Sequence, residues 1–379
     1  MQSETHHFAA LRTAADNAMR MGNHGEAARL LEELASTGTE DGGTYLRLAV
    51  VRRSLGDLGG ALSAASMATR IEPTNFIALL LRASLYETFG SYDLAARISR
   101  AALQHAPNEV NLPPQIREQL RRARDRAAAD AEWRHAAANW QPSSPIGPAG
   151  QRIEGFRQDA LRNAEAGPTA DVKFIIPDLP TQEFFDPVGF AGLPELEAAT
   201  DVVRTEFLDL MEAKGRKFTP HLHGNAGAVA EGGRPSAGAW SMVHLIRDGI
   251  LVEENASLCP ETMRLYSALS TPEFGLISPT LNFSLLDPYA RISPHTGVTN
   301  ARLIMHLPLI VPEDCGLRVG QTTREWIVGQ ALVFDDMIEH EAWNDSDQLR
   351  VVLIADLWHP ELSAPEREAI SQLMARRRP

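Results

Sequence analysis

The first third of the chain repeats a pattern of small and apolar positions every 34 residues. Three glycines share this spacing, and an alanine follows each glycine by five positions. They are Gly22, Gly56 and Gly90, with Ala27, Ala61 and Ala95. Pro73 and Pro107 close the last two units with the same spacing. Each unit has the apolar periodicity of two short amphipathic helices, with the glycine at the turn and the alanine where the helices pack.

A 34-residue period is characteristic of tetratricopeptide repeats, whose helix pairs bury their apolar faces only by stacking. The alternative, a generic alanine-rich bundle, does not require three positions to repeat at one period. We therefore predict a tetratricopeptide-repeat helical domain over residues 1–140. A long Arg/Ala-rich helix that begins after two prolines caps this solenoid. The Pro-, Gly- and Ser-rich stretch from Gln141 opens a linker predicted over residues 141–170.

The pattern changes after the linker. The segment LPELEAATDVVRTEFLDLMEA has the period of one amphipathic helix, whereas later runs such as LRVVLIADLW are short, β-branched and bounded by turn residues. A β-rich domain with a few external helices is therefore predicted over residues 171–379, and Glu231–Trp240 is predicted to be a loop. The fold class is α+β, an α-helical tetratricopeptide solenoid followed by this β-rich domain.

Composition restricts the class of protein. The chain of 379 residues has a formal net charge of -13 and a pI near 5.4, which argues against nucleic-acid binding, because phosphates attract basic surfaces. Cys259 and Cys315 are too few and too distant in sequence for a disulfide framework. No basic and apolar leader pattern or membrane-length apolar run is present, so we expect a cytoplasmic protein without membrane contact.

Two strand-like segments near the C-terminus carry candidate ligand-binding side chains. In NARLIMHLPLI, alternation places Arg302, Ile304 and His306 on one face. Two further runs joined by the polar turn NDSDQ predict a hairpin, with His340 and Arg350 on one face about 7 Å apart. This separation suits a short dicarboxylic acid that chelates a metal at the histidine while its far carboxylate meets the guanidinium fork.

The C-terminal motifs carry a family resemblance. In order, they read HTG, NxRLxMHL, FDDxxxHExWN and RVVLIxDxWHP, within residues 275–362. This arrangement resembles the aspartyl/asparaginyl β-hydroxylase family. Members of that family are double-stranded β-helix (jelly-roll) oxygenases that use Fe(II), 2-oxoglutarate and O₂, and eukaryotic members carry tetratricopeptide repeats before the catalytic domain. The resemblance therefore implies the same fold and cofactors for residues 171–379.

The resemblance also assigns roles to individual residues. It implies that His295 and His340 are the metal ligands and, with Arg350, the catalytic residues. Other non-haem oxygenases add a carboxylate ligand, and Gly297 stands where the resemblance places that carboxylate. Arg350 and Ser284 are implied to bind the distal carboxylate of 2-oxoglutarate.

The proximal carboxylate of 2-oxoglutarate is the part of the site where this sequence departs from the family. The resemblance places His306 near that carboxylate. Ile304 stands where a family hydroxylase has an arginine that helps to hold it. Arg302, two residues away on the same face, is the candidate cation to take that role.

Several other polar residues have alternative interpretations. Asp335 and Asp336 are predicted to form the turn before the second ligand histidine, or to orient its ring, rather than to bind metal directly. His221 and His223 have the His-x-His spacing of a metal site on a strand, but a loop near the substrate entrance is the favoured interpretation. His359 is predicted to be structural.

The sequence thus favours an Fe(II)/2-oxoglutarate-dependent dioxygenase. The resemblance suggests hydroxylation of the β-carbon of Asp or Asn, and the repeats favour a peptide or protein substrate that docks on them. A non-catalytic repeat-based binding module with a degenerate oxygenase domain is the alternative. A pure scaffold is a third hypothesis, and it predicts no metal binding.

Overall fold

The structure is a computed structural model that describes most of the chain as two compact units. It describes residues 2–36, 41–89, 91–142, 150–167, 172–215, 219–220, 228–230, 240–247, 249–273 and 278–375. The first unit contains Met1–Glu132 and Ala164–Ala170. The second contains Trp133–Asn163 and Asp171–Arg378.

The first unit is built from antiparallel helix pairs. Its paired helices are α1 Gln2–Arg20, α2 His24–Ser36, α3 Gly42–Ser54, α4 Leu58–Ile71, α5 Phe76–Thr88 and α6 Tyr92–His105. Short polar side chains cap three of these helices at the N-terminus. Asp41, Asp57 and Asn75 each accept a hydrogen bond from a backbone N–H in the first turn. Within a repeat, consecutive helices pack on each other, and α2 with α3 and α4 with α5 join the repeats. The predicted tetratricopeptide solenoid is confirmed.

The small residues that mark the repeat have separate structural roles. The three alanines are 0% exposed where the helices approach. Gly22 and Gly56 lie just beyond the ends of α1 and α3 with φ of 72° and 80°, the left-handed region that ends a helix. Nothing lies within 4 Å of a Cβ built on either glycine, so the backbone conformation, not space, favours glycine there. Gly90 lies outside the described residues.

The segment between the repeats and the β-strands is more helical than expected. Helix α7, Pro114–Ala138, begins at a proline as predicted, and the division between the units falls inside it, after Glu132. The expected linker over residues 141–170 contains helix α8, Gly150–Glu165. The apolar side chains of Ile153 and Phe156 are buried at helical spacing. The turn-rich composition before α8 concealed this short amphipathic pattern.

Two antiparallel sheets form the body of the second unit. The larger has the order β1 Phe184–Phe185, β11 Leu332–Phe334, β8 Arg302–Ile310, β13 Arg350–Trp358, β6 Leu281–Leu286, β4 Trp240–Arg247 and β2 Thr219–Pro220, with β5 Ile250–Leu251 on β4. The smaller has the order β10 Thr322–Glu325, β9 Cys315–Val319, β12 His340–Asn344, β7 Ala290–His295 and β3 Ala228–Ala230.

The strand order confirms the double-stranded β-helix. From β6 to β13 the chain passes repeatedly between the sheets, so that β6, β8, β11 and β13 pair in one and β7, β9, β10 and β12 in the other. The predicted hairpin is therefore wrong, because β12 pairs with β7 and β9 whereas β13 pairs with β6 and β8. The polar turn between them is a corner at which the chain changes sheets.

An apolar core packs against each face of the larger sheet. On its outer face, α9 Leu193–Ala198, α10 Thr200–Ala213 and α12 Pro260–Tyr266 contribute to one core. Its inner face shares a second core with the smaller sheet, including Trp240, Leu317, Trp326 and Phe334. The single helix predicted before β2 is two helices, because the backbone at Ala199 (φ -96°, ψ 13°) turns between α9 and α10.

Some expectations concern residues that the structure does not describe. His221, His223 and most of the Glu231–Trp240 segment lie outside the described residues. The remaining helices are α11 Glu253–Ala256 and α13 Ala364–Ala375. Among the helices described, none combines the length and apolarity that crossing a membrane requires.

Candidate active site

Two histidines meet on neighbouring strands of the smaller sheet. His295 ends β7 and His340 begins β12, and the two residues are direct partners in the antiparallel register. Their ring centroids are 4.1 Å apart. A register irregularity follows between His340 and Ala342, at the end of the sheet where the pair lies. Imidazole side chains this close can share one metal ion.

Both rings are held in the same way by the backbone. Nδ1 of His295 lies 2.9 Å from the carbonyl oxygen of Ser293, and Nδ1 of His340 lies 2.9 Å from that of Ile338. A carbonyl oxygen only accepts, so Nδ1 carries the proton in each ring and donates it, which makes Nε2 the lone-pair nitrogen. Burial lowers the pKa of His295, which favours the neutral form. The pair thus has the tautomers that metal ligation through Nε2 requires.

The position two residues after His295 has no room for a side chain. A Cβ atom on Gly297 would lie 2.2 Å from Cγ and from Oδ2 of Asp336. This carboxyl group is 4% exposed, and burial raises its pKa to about 7, against the opposing effect of Arg302. Within the described residues, no group of three or more His, Cys, Asp or Glu side chains is arranged to hold a metal ion. Position 297 therefore supplies no third ligand while Asp336 occupies this space.

The two aspartates before β12 have different roles. Oδ1 of Asp335 accepts a hydrogen bond of 2.9 Å from the N–H of Met337, which confirms that Asp335 forms the predicted turn. The hydrogen bond at Nδ1 of His340 goes to the backbone carbonyl of Ile338 and not to either carboxylate. Asp336 forms an ion pair of 3.3 Å with Arg302.

Arg350 is a buried cation on the inner face of the larger sheet. It is 1% exposed, and its Nη1 lies 3.4 Å from both the carbonyl oxygen and Oγ of Ser284. Its Nε has no hydrogen-bond partner, and no carboxylate in the described part of the chain pairs with it. Burial lowers its pKa to about 10, so it remains charged at neutral pH. A buried guanidinium without a counter-charge can bind an anion through its free donor.

Ser284 and Trp240 connect this cation with the histidine pair. Trp240 Nε1 donates a hydrogen bond of 3.1 Å to Ser284 Oγ, and its ring centroid lies 6.2 Å from that of His295. The structure therefore brings Ser284, Arg350 and His295 into one region, as a shared ligand would require.

His306 lies in the same interior. Its ring packs edge-on against Phe334 at 5.0 Å, and Phe334 in turn lies 5.3 Å from the ring of His340. Burial, together with the charge of Arg350, holds the pKa of His306 well below its usual value, so the ring is neutral. Within the part of the chain that the structure describes, its Nδ1 has no hydrogen-bond partner. A buried polar atom without a partner next to an unpaired cation indicates a polar ligand.

Arg302 differs from the other expected cosubstrate residues. Its guanidinium pairs with Asp356 at 2.7 Å and with Asp336 at 3.3 Å. Asp356 also accepts hydrogen bonds from Ser278 Oγ and Thr280 N. Binding a cosubstrate carboxylate would require Arg302 to leave at least one of these partners. Ile304 packs against the inner apolar core and supplies no charge in its place.

Two contacts in the region of the site are not indicated by the sequence motifs. Trp326, which follows β10, lies beneath the guanidinium of Arg350. None of the sequence motifs includes Trp326, so they did not indicate this contact. A segment before β1 also pairs with the loop after His295: Asn300 donates to the carbonyl of Ile176 and accepts from its N–H, at 2.9 and 2.8 Å.

His359 contacts the carbonyl oxygen of Pro180 through Nε2 at 3.2 Å, as expected for a structural residue.

Comparison with known proteins identifies relatives of the second unit. A family model described as aspartyl/asparaginyl beta-hydroxylase matches residues 197–360. Aspartyl/asparaginyl beta-hydroxylase of Mus musculus is 38% identical over 134 residues, which are 35% of this chain and 18% of the relative. Aspartate beta-hydroxylase domain-containing protein 2 of Homo sapiens is 33% identical over 206 residues, 53% of this chain and 54% of the relative.

A bacterial relative is named for a different activity. Ornithine lipid ester-linked acyl 2-hydroxylase of Rhizobium tropici is 38% identical over 131 residues, 34% of this chain and 44% of the relative. The match spans about a fifth of the mouse protein and about half of the other two.

Proposed function

Because residues 197–360 belong to the aspartyl/asparaginyl β-hydroxylase family, we propose that this chain is an Fe(II)- and 2-oxoglutarate-dependent dioxygenase. In this reaction 2-oxoglutarate and O₂ are converted to succinate and CO₂, and one oxygen atom enters a C–H bond of the substrate as a hydroxyl group. The buried Arg350, which is charged and has no counter-ion among the described residues, is the observation that carries the proposal.

The side chains of the site have distinct tasks in this proposal. His295 and His340 would hold Fe(II) through Nε2, and the metal supplies the redox chemistry when bound. Arg350 and Ser284 bind the distal carboxylate of 2-oxoglutarate. His306 would hydrogen-bond the proximal carboxylate, and Ile304 would offer only apolar contact. The protein thus positions the keto acid and excludes water from it.

The substrate we propose is an Asp or Asn side chain of a peptide or protein, hydroxylated at its β-carbon. The names of the mouse and human relatives support this class, and helical repeats offer an extended surface on which a peptide can bind. The bacterial relative is named for hydroxylation of a lipid acyl chain. A lipid is therefore the alternative substrate against which the peptide is to be tested. A cytoplasmic location stays a prediction.

The alternative of a non-catalytic binding module has one supporting observation. Arg302 is held by two carboxylates and Ile304 is apolar, which leaves the proximal carboxylate without a free cation among the described residues. Arg350 argues against this alternative, because an uncompensated buried charge is destabilising and an anionic ligand would supply its counter-charge.

Succinate formation tests the proposal. The full chain, supplied with Fe(II), 2-oxoglutarate, O₂ and peptides that contain Asp or Asn, should form succinate and add one oxygen to a peptide. His340→Ala should abolish both. Glu341→Ala is the matched control, because Glu341 is the residue next to His340 and its carboxylate forms an ion pair with Arg318 at 2.5 Å. Equal succinate formation by the wild type and His340→Ala would contradict the proposal.

A further inference from the structure

The indole of Trp326 has a buried hydrogen-bond donor that the protein does not use. Its side chain is 5% exposed, and none of the described residues accepts a hydrogen bond from Nε1. Buried tryptophan N–H groups usually find an acceptor, because leaving one unpaired costs about 1–3 kcal/mol. Trp240, in the same inner core, follows the rule by donating to Ser284 Oγ. The unpaired donor of Trp326 is therefore available to an acceptor that comes from outside the described residues.

The position of Trp326 indicates what kind of acceptor this is. The guanidinium carbon of Arg350 lies 4.8 Å from the centre of the indole, and the ring of His306 lies 6.0 Å away. Nε of Arg350 is also a buried donor without a partner. Two side chains in contact with each other thus each carry an unused N–H donor, and one of them is a cation. A carboxylate has two oxygens and can accept from both donors.

We propose that Trp326 binds the same anion as Arg350, its Nε1–H donating to the distal carboxylate of the dicarboxylic keto acid. This deepens the proposed function and rests on it. Stacking under the guanidinium also holds the Arg350 side chain in place, so the indole contributes both a donor and a support. Trp326 is thereby a specificity residue, which favours a keto acid with a second carboxylate over one without it.

The test compares two ligands on matched variants of the full chain. Fe(II)-loaded protein is titrated without oxygen with 2-oxoglutarate or with 2-oxovalerate, which has the same chain length but no distal carboxylate. The visible absorption of the metal-chelated keto acid reports binding. Trp326→Phe removes the N–H and keeps an aromatic ring. Trp343→Phe is the control, because Trp343 lies on the strand face opposite His340 and Ala342, where its indole packs against Gly316.

The expected result is a loss that depends on the ligand. Trp326→Phe should weaken binding of 2-oxoglutarate by about tenfold, the scale of one hydrogen bond to a charged group, and leave 2-oxovalerate and Fe(II) binding unchanged. Trp343→Phe should change neither. If Trp326→Phe fails to fold, Trp326→Leu is titrated with the same two ligands. It removes both the N–H and the ring, so a loss confined to 2-oxoglutarate then reports the two contributions together, and unchanged affinity overturns both.

Two outcomes overturn this inference. Unchanged affinity for 2-oxoglutarate would mean that the N–H does not reach the ligand. An equal loss for both keto acids would mean that the indole acts on the keto end or on the fold. Failure of the proposed function is a separate result, because the wild-type protein would then give no absorption with 2-oxoglutarate.

Discussion

At the scale of single residues, the site is shaped by which side chain fills each volume. Asp336 occupies the space that a side chain at position 297 would need, so a ligand at that position and this carboxylate exclude each other. The motifs sufficed to predict His295 and His340 as neighbours, because their order in the sequence resembles a known site. They did not indicate that Trp326 lies under Arg350, since this contact joins a turn to a distant strand.

Adding one methyl group tests this exclusion. We expect Gly297→Ala to lower the free energy of unfolding by about 1–3 kcal/mol, because its Cβ overlaps the buried carboxylate of Asp336. In Gly297→Ala/Asp336→Ala the loss should be smaller than the sum of the two single losses. Gly189→Ala is the control, because nothing lies within 4 Å of its added Cβ. Additive losses in urea denaturation would contradict this account.

The carboxyl group of Asp336 should make the free energy of unfolding depend on pH. Its pKa is about 7 in the folded protein and 3.8 for an unperturbed aspartate side chain, so the folded state binds the proton more tightly than the unfolded state. Its contribution to stability is therefore greatest at low pH and is lost as pH rises from about 4 to about 7, by at most about 1.4 kcal/mol per pH unit. Asp336→Asn removes this titration.

Urea denaturation at several pH values measures the effect. The stability of Asp336→Asn relative to the wild type should increase as pH rises through this window. A difference that stays constant with pH, or decreases, would show that Asp336 is already ionised at low pH in the folded protein.

At the scale of elements, the loop after His295 is held by a segment from outside the matched family region. Phe174 N–H donates to the carbonyl of Val298 at 2.7 Å, and Asn300 pairs with both backbone groups of Ile176. Strand alternation predicted the faces of β8, β12 and β13, but it does not determine which sheet a strand joins. The predicted hairpin was wrong for this reason, and the pairing of Ile176 was likewise beyond local sequence patterns.

Removing the side chain of Asn300 tests this attachment. Asn300→Ala should lower the free energy of unfolding by about 1–3 kcal/mol, because it leaves the backbone groups of a buried residue, Ile176, without their partners. Amide exchange of Ile176 should become faster. Thr296→Ala is the control, since it removes only an exposed hydrogen bond to Lys173. Equal effects of the two variants would contradict the role of Asn300.

At the scale of the whole molecule, the chain combines a helical repeat unit with a double-stranded β-helix. The repeat unit was predictable because fixed glycine and alanine positions have direct structural roles at each turn and helix contact. The division between the units was less so, because helix α7 continues through it and α8 follows within the expected linker. Helical periodicity identifies an element but not the unit to which it belongs.

Overpacking the repeat core tests whether the units are stable separately. Ala61 is 0% exposed, so Ala61→Leu should destabilise the first unit by about 1–3 kcal/mol. Hydrogen exchange should become faster in α3 and α4 and stay unchanged in β6, β8 and β13. Ser63→Ala, at an exposed position of the same helix, should change neither. Loss of protection in both units together would contradict separate stability.

Binding of the keto acid tests the central claim most directly. Apo-protein is given Fe(II) and then 2-oxoglutarate without oxygen, and the visible charge-transfer absorption of the chelated keto acid is recorded. The account predicts this absorption for the wild type, its loss in His340→Ala, and a large loss of 2-oxoglutarate affinity in Arg350→Ala. Iron binding by the wild type without any absorption at saturating 2-oxoglutarate would contradict the account.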